Sequence, residues 1–168
     1  MNSEAVELIA LCKEKGLTLG SIESMTSGGF GAEIASVPGA SAVYRGGVIT
    51  YSADIKEKVV GVPKELIERK GVVSPEVALS MASGGHDVLE ADIIISVTGN
   101  AGPTAEPGQA QVGEAYIGIY SPLGNHVEKK VFSGERNEIR SMATKEMVHL
   151  ALEEAKKFNR KSNWKTNK

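Results

Sequence analysis

Ser41, Tyr51 and Lys56 lie within sixteen residues of one another in the stretch GASAVYRGGVITYSADIKEKVVGVP, residues 39–63. A serine hydroxyl is a poor nucleophile until a base removes its proton. A lysine becomes that base when burial lowers its pKa from about 10.4 toward neutrality. A nearby tyrosine can relay the proton or orient the amine. The same three residues also have an ordinary reading, with Ser41 in a turn, Tyr51 packed and Lys56 solvated. Spacing alone favours that ordinary reading.

Three segments rich in small and polar residues could line a site: ESMTSGG (23–29), PGAS (38–41) and TGNAGPTAEPGQAQVG (98–113). The third carries Gly99, Gly102, Gly108 and Gly113, whose backbone N–H groups could cradle an anion or a carbonyl oxygen. It is not a phosphate-binding P-loop, because no GKS or GKT follows, and it lacks the GxGxxG spacing of dinucleotide folds. His86, His126 and His149 are scattered, with no HExxH and no paired cysteines, so no metal site is expected. A Ser–His–Asp triad gains no support either, because no GxSxG elbow is present.

Helices and strands must position these residues. Helical spacing is expected over 3–15, with Val6, Ile9, Ala10 and Leu11 inward, then over 28–37, from Ile55 and over 63–71. Two longer helices are expected over 74–91, with Val77, Met81 and Val88 inward, and over 136–158. Strands are expected at 17–23, 42–51 and 92–99, followed by GEAYIGIYSP and HVEKKVFSG as a hairpin. Gly46 and Gly47 inside the second strand suggest a bulge or a close backbone approach. The run DIIISVTG is apolar enough to be buried on both faces. This pattern predicts a three-layer α/β/α sandwich around a mixed, mostly parallel sheet, with one domain over 1–158.

Bulk properties narrow the function. The chain has 168 residues, 41% hydrophobic and 24% charged, as expected of a globular domain with its own core. No apolar run reaches the roughly 20 residues that span a bilayer, and the start of the chain does not resemble a secretory signal. The single cysteine, Cys12, is expected in the core, and a cytoplasmic location follows. A net charge of −2 argues against bulk nucleic-acid binding. The tail NRKSNWKTNK (159–168) is basic through Arg160, Lys161, Lys165 and Lys168 and is expected to be solvated and disordered.

The segments ESMTSGG, VPGASAVYRGGVITYSADIK, GVP, GVVSPEVA, VTGNAGP, VGEAYIG and GERNEIR follow one another in an order and spacing that resembles a known family. This is the C-terminal domain of the competence/damage-inducible protein CinA, and the resemblance runs from about residue 5 to 157. The family includes stand-alone nicotinamide-nucleotide amidohydrolases. The resemblance implies hydrolysis of the carboxamide of nicotinamide mononucleotide to nicotinate mononucleotide and ammonia, in pyridine nucleotide recycling, with no metal or cofactor. It matches Ser41 to the nucleophile, Lys56 to its base and Tyr51 to an assisting acid or base, with Ser24 as the second candidate nucleophile. Thr98 matches a substrate-contacting threonine, and Arg136 or Arg140 the phosphate contact. Thr26, Gly99 and Gly102 complete the expected substrate-binding set, and a homodimer is expected.

The chain departs from the family pattern at three places. Met25 stands where the family usually has cysteine, Ser27 where it has glycine, and Asn100 where it has an apolar residue. These motivate an alternative: a nucleotide-binding or partner-binding domain with weak or no turnover. Larger members carry an N-terminal domain linked to nucleotide pyrophosphatase activity, which is not expected here.

Overall fold

The structure, a computed structural model, describes residues 1–159. Helix α1 (Ser3–Lys15) starts at Asn2, whose side chain accepts from the Glu4 and Ala5 amides, and ends at Gly16 in the left-handed region. There follow β1 (Leu19–Glu23), α2 (Gly29–Ala35), a 3-10 turn (Ala40–Ala42) and β2 (Tyr44–Ile49). Next come α3 (Ala53–Val60), α4 (Lys64–Lys70), α5 (Pro75–Leu89) and β3 (Ile93–Gly99). The hairpin β4 (Glu114–Tyr120) and β5 (His126–Val131) precedes the last helix, α6 (Arg136–Lys156).

The five strands form one mixed sheet in the order β2-β1-β3-β4-β5. β2, β1 and β3 run parallel, whereas β4 is antiparallel to β3 and β5 to β4. The expected predominance of parallel pairing is thus confined to one half, and the other half is a hairpin extension. The register of β1 against β2 slips between the Leu19–Tyr44 and Gly20–Gly46 pairs, with Arg45 as the extra residue. The twin glycines therefore mark a bulge, as expected.

Alternation along β3 sends side chains to both faces. Ile93, Ile95 and Val97 join the larger core beneath α1, α2 and α6, while Ile94 joins Val77, Met81 and Val60 beneath α5 and α3. Cys12 lies in the larger core, where burial raises its thiol pKa to about 12. Three expected core positions are corrected. Helix α1 buries Ala5, Leu8, Ile9 and Cys12, whereas Val6 and Ala10 are exposed. Ile9 is inward as expected, and the buried stripe continues through positions 5, 8 and 12, the helical neighbours of 9 on the face that meets the core. Val88 is also exposed, since the inward face of α5 runs through Val77, Met81 and Gly85 to Leu89 and leaves position 88 beside it. Of the basic tail, only Asn159 falls within the described residues.

Candidate active site at the carboxyl edge of the sheet

Because β1, β2 and β3 are parallel, their carboxyl ends open onto one edge, the usual place for a site in an open α/β sheet. Ser24 is the first residue beyond β1, Thr50 and Tyr51 directly follow β2, and Thr98 and Gly99 end β3. Helix α3 then turns back and brings Lys56 under the same edge. The Lys56 side chain is 1% exposed, and its Nζ donates to Ser24 Oγ at 3.0 Å, to the Thr50 carbonyl at 2.6 Å and to the Tyr51 carbonyl at 3.3 Å. Burial lowers its pKa to about 8.

The bonding pattern suits both charge states. An ammonium has three donors for three acceptors. A neutral amine keeps two donors for the carbonyls and turns its lone pair toward the Ser24 hydroxyl. Deprotonation therefore creates a base aimed at one serine.

Ser24, Met25, Tyr51, Lys56, Thr98, Ala101 and Arg136 are among the residues around a cavity of about 230 Å³. No carboxylate lines it, and Lys56 and Arg136 make it a cationic recess. Val72, Val73, Gly99 and Asn100 are shared with a neighbouring cavity of about 440 Å³, so the two form one cleft of the size that small ligands occupy.

The structure separates the residues expected in the site. Ser41 is exposed in the 3-10 turn before β2, near the end of the sheet where Ala42 and Val43 share a hollow of about 360 Å³ with Lys13 and Thr18, which Ser41 itself does not line. At about 3.3 Å per residue, the length of β2 stands between it and Lys56. Closeness in sequence misled here, because a strand carries its two ends to opposite edges of the sheet. Tyr51 reaches the cleft, 55% exposed, but its hydroxyl accepts from Arg136 at 3.0 Å and its carbonyl, not its ring, meets Lys56.

Thr98 lines the cleft and donates to the Val72 carbonyl at 2.9 Å. Gly99 is where a side chain would collide with Met25, Ala115 and the Glu114 carbonyl. Gly102 has a φ of +81° and offers its carbonyl to Arg136.

The two arginines differ. Arg136, the first residue of α6, is exposed on the cleft and donates to the Gly102 carbonyl and the Tyr51 hydroxyl. Arg140, one turn on, donates to the Met25 carbonyl at 2.8 Å, the Thr26 carbonyl at 3.2 Å and Asn137 Oδ1 at 3.0 Å. It ties down the backbone beside Ser24 and does not line the cleft. The amino end of α6 is occupied by a capping box of Glu135 and Glu138.

Thr26 is also turned away. Its hydroxyl donates to Glu23 Oε1 at 2.6 Å, and the same buried carboxylate accepts from the Phe30 and Gly31 amides at 3.0 and 3.1 Å. Glu23 thereby caps the start of α2 and fixes the Ser24 loop. Sequence reading passed over Glu23, although an acid at a strand end followed by glycines and a helix was the available signal. The Thr50, Tyr51 and Val72 carbonyls left no such signal. Among the described residues, no three His, Cys, Asp or Glu side chains gather as metal ligands would, and no helix is long and apolar enough to cross a membrane.

A family model, the CinA C-terminal domain, matches residues 1–155. The chain belongs to the CinA C-terminal domain family. A relative from Caldanaerobacter subterraneus subsp. tengcongensis, named for competence-damage induction, is 41% identical over 142 residues, 84% of this chain but 34% of its own length. The chain thus spans about a third of the curated relatives it matches.

Among solved structures, a CinA superfamily protein of Klebsiella pneumoniae superposes with a TM-score of 0.89 at 22% identity, covering 94% of this chain and all of that one, which shows the fold alone. The competence/damage inducible protein CihA of Agrobacterium tumefaciens gives 0.82 at 27% identity over 91% of this chain and 98% of its own. The departures from the CinA pattern also find places in the structure. Met25 is buried against Gly99, Ser27 has a φ of +46° with its amide on the Ser24 carbonyl at 3.0 Å, and Asn100 is bonded into its own loop.

Proposed function

We propose that this CinA-family domain hydrolyses the carboxamide of nicotinamide mononucleotide, with Ser24 as nucleophile and Lys56 as its base, in the recycling of pyridine nucleotides. The observation that carries the reading is the 3.0 Å contact between Ser24 Oγ and a buried amine whose pKa is lowered to about 8. Neutral Lys56 takes the hydroxyl proton as Ser24 Oγ attacks the carboxamide carbon, giving a tetrahedral oxyanion. Lys56 then hands that proton to the departing nitrogen, which leaves as ammonia, since an amide nitrogen leaves poorly unless protonated. Water attacks the acyl-serine by the same route in reverse, returning nicotinate mononucleotide and free Ser24.

Arg136 accounts for the choice of a phosphorylated substrate, because its exposed guanidinium faces the same recess as Ser24 and Lys56, whereas Lys70 lines the neighbouring part of the cleft and is paired with Glu76. Tyr51 steadies that guanidinium. Ser41 has no part in this reading, and Arg140 serves only to hold the Ser24 loop. A homodimer in the cytoplasm belongs to the same proposal.

The test is ammonia release from nicotinamide mononucleotide by the purified protein, with Ser24→Ala and Ser41→Ala beside it. Release that vanishes only in Ser24→Ala supports the reading. Binding of the nucleotide without release would replace it with a binding domain.

A further inference from the structure

The loop 100–113 is braced from within by Asn100. Its amide nitrogen donates to the Thr104 carbonyl at 3.1 Å and to the Ala110 carbonyl at 3.0 Å, while its oxygen accepts from the Gly102 amide at 2.9 Å. All three bonds need a carboxamide in this orientation, with two donors facing carbonyls and one acceptor facing an N–H. An apolar residue makes none of them. An aspartate would point a carboxylate at two carbonyl oxygens.

The brace leads to the cleft. The Asn100 oxygen holds the amide of Gly102, and the carbonyl of that residue accepts from the Arg136 guanidinium, which also holds the Tyr51 hydroxyl. Arg136 is otherwise an exposed side chain on the first turn of its helix. Its aim depends on the carbonyl it rests on.

We propose that Asn100 is a positioning residue that sets the anion-binding arm Arg136 through Gly102, and so sets this chain's preference for a phosphorylated over an unphosphorylated substrate. The inference deepens the amidohydrolase reading and rests on it for the identity of the anion. Asn100 touches no reacting atom in this scheme. Its influence runs through the KM of the phosphorylated substrate and leaves the step at Ser24 largely alone.

The experiment compares nicotinamide mononucleotide with nicotinamide riboside, which lacks the phosphate, in the wild type, Asn100→Leu and Asn100→Asp. Both variants should raise KM for the mononucleotide about tenfold, the scale of one weakened charge-assisted contact, with kcat within about threefold. Asn100 also lines the cleft, so KM for the riboside is the control for any direct effect of the substitution and should rise several-fold less than KM for the mononucleotide. The double variant Asn100→Leu/Arg136→Ala should be no worse than Arg136→Ala alone, because the two residues act along one line.

An unchanged preference in the variants overturns the inference. So does an equal loss on both substrates, or a double variant whose effects simply add. Should the wild type release no ammonia, the amidohydrolase reading fails by itself. Calorimetric binding of the same two ligands then gives the same ratio, and a wild type that binds both equally, or binds neither, overturns the role of Asn100.

Discussion

The carboxyl and amino edges of the parallel strands carry the same kind of residue and differ in everything that matters for chemistry. At the carboxyl edge, Ser24 is 7% exposed and bonded to a buried lysine. At the amino edge, Ser41 is exposed in a short turn with no side-chain partner among the described residues. Three parallel strands deliver three carboxyl ends, with Ser24, Thr50 and Thr98 near them, to one place. At the other edge a hollow lies beside Ala42 and Val43, but Lys13 is the one titratable cation among the described residues around it and Ser41 is not in its lining. A nucleophile needs a base and a recess together, and here the converging strand ends supply both.

The strongest way to break that comparison is to delete each hydroxyl. Ser24→Ala should lower turnover of nicotinamide mononucleotide by more than about a thousandfold, as removal of a nucleophile does. Ser41→Ala should stay within about twofold, as exposed residues away from a site do. Steady-state ammonia release decides it, and comparable losses in both would erase the distinction between the edges.

The pH profile sharpens it next. Lys56 works as a base only when neutral, so kcat/KM should rise with pH through about 8 and level off above it. Lys56→Arg should abolish the activity at every pH, because a guanidinium does not give up its proton in this range. A flat profile across pH 7 to 9, as about one unit either side of that value, would remove Lys56 from the role of base.

The two arginines extend the comparison to α6. Arg136→Ala should raise KM for the mononucleotide by about ten- to a hundredfold, as loss of a phosphate contact does. Arg140→Ala should instead lower kcat and thermal stability together, since it frees the Met25 and Thr26 carbonyls beside Ser24. Kinetics on both variants, read beside their melting temperatures, would show the roles exchanged if KM rose in Arg140→Ala alone.

Much of this edge was legible in the sequence, for particular reasons. The run Ile93–Val97 announced a strand buried on both faces, and strand–helix alternation announced the layers. Lys56 and Tyr51 were named from their spacing, and Thr98 and Arg136 from the family resemblance, the last as an alternative to Arg140; all four line the cleft. The pairing of Lys56 was not legible. Ser41 and Ser24 both precede Lys56, and only the parallel register of β1 and β2 decides which strand end meets α3. The buried stripe of α1 was hidden for a similar reason. Val6 has the apolar character of a core residue, but the neighbouring Ala5 is the one buried in the larger core. Local pattern names residue types, while tertiary approach selects among them.

The smallest effect tests the burial of Lys56 without any substrate. In the unfolded chain its amine titrates at the ordinary 10.5, and in the folded protein at about 8. Below about 8 both states hold the proton, and burying the cation opposes folding by a constant amount. Between these values the unfolded chain still binds a proton that the folded protein has released, so stability contributed by this group rises with pH across that window. Lys56→Met has no such proton. The difference in unfolding free energy, wild type minus Lys56→Met, should therefore climb from about pH 8 to about 10.5 and be flat below it. Chemical denaturation of both proteins along a pH series reads that difference directly and cancels the titration of every other lysine and tyrosine. A difference that stayed flat throughout would mean that the amine keeps its proton as it does in water. The carboxyl edge would then hold a serine beside a permanent cation, which is a place to bind an anion and not a place to activate a hydroxyl.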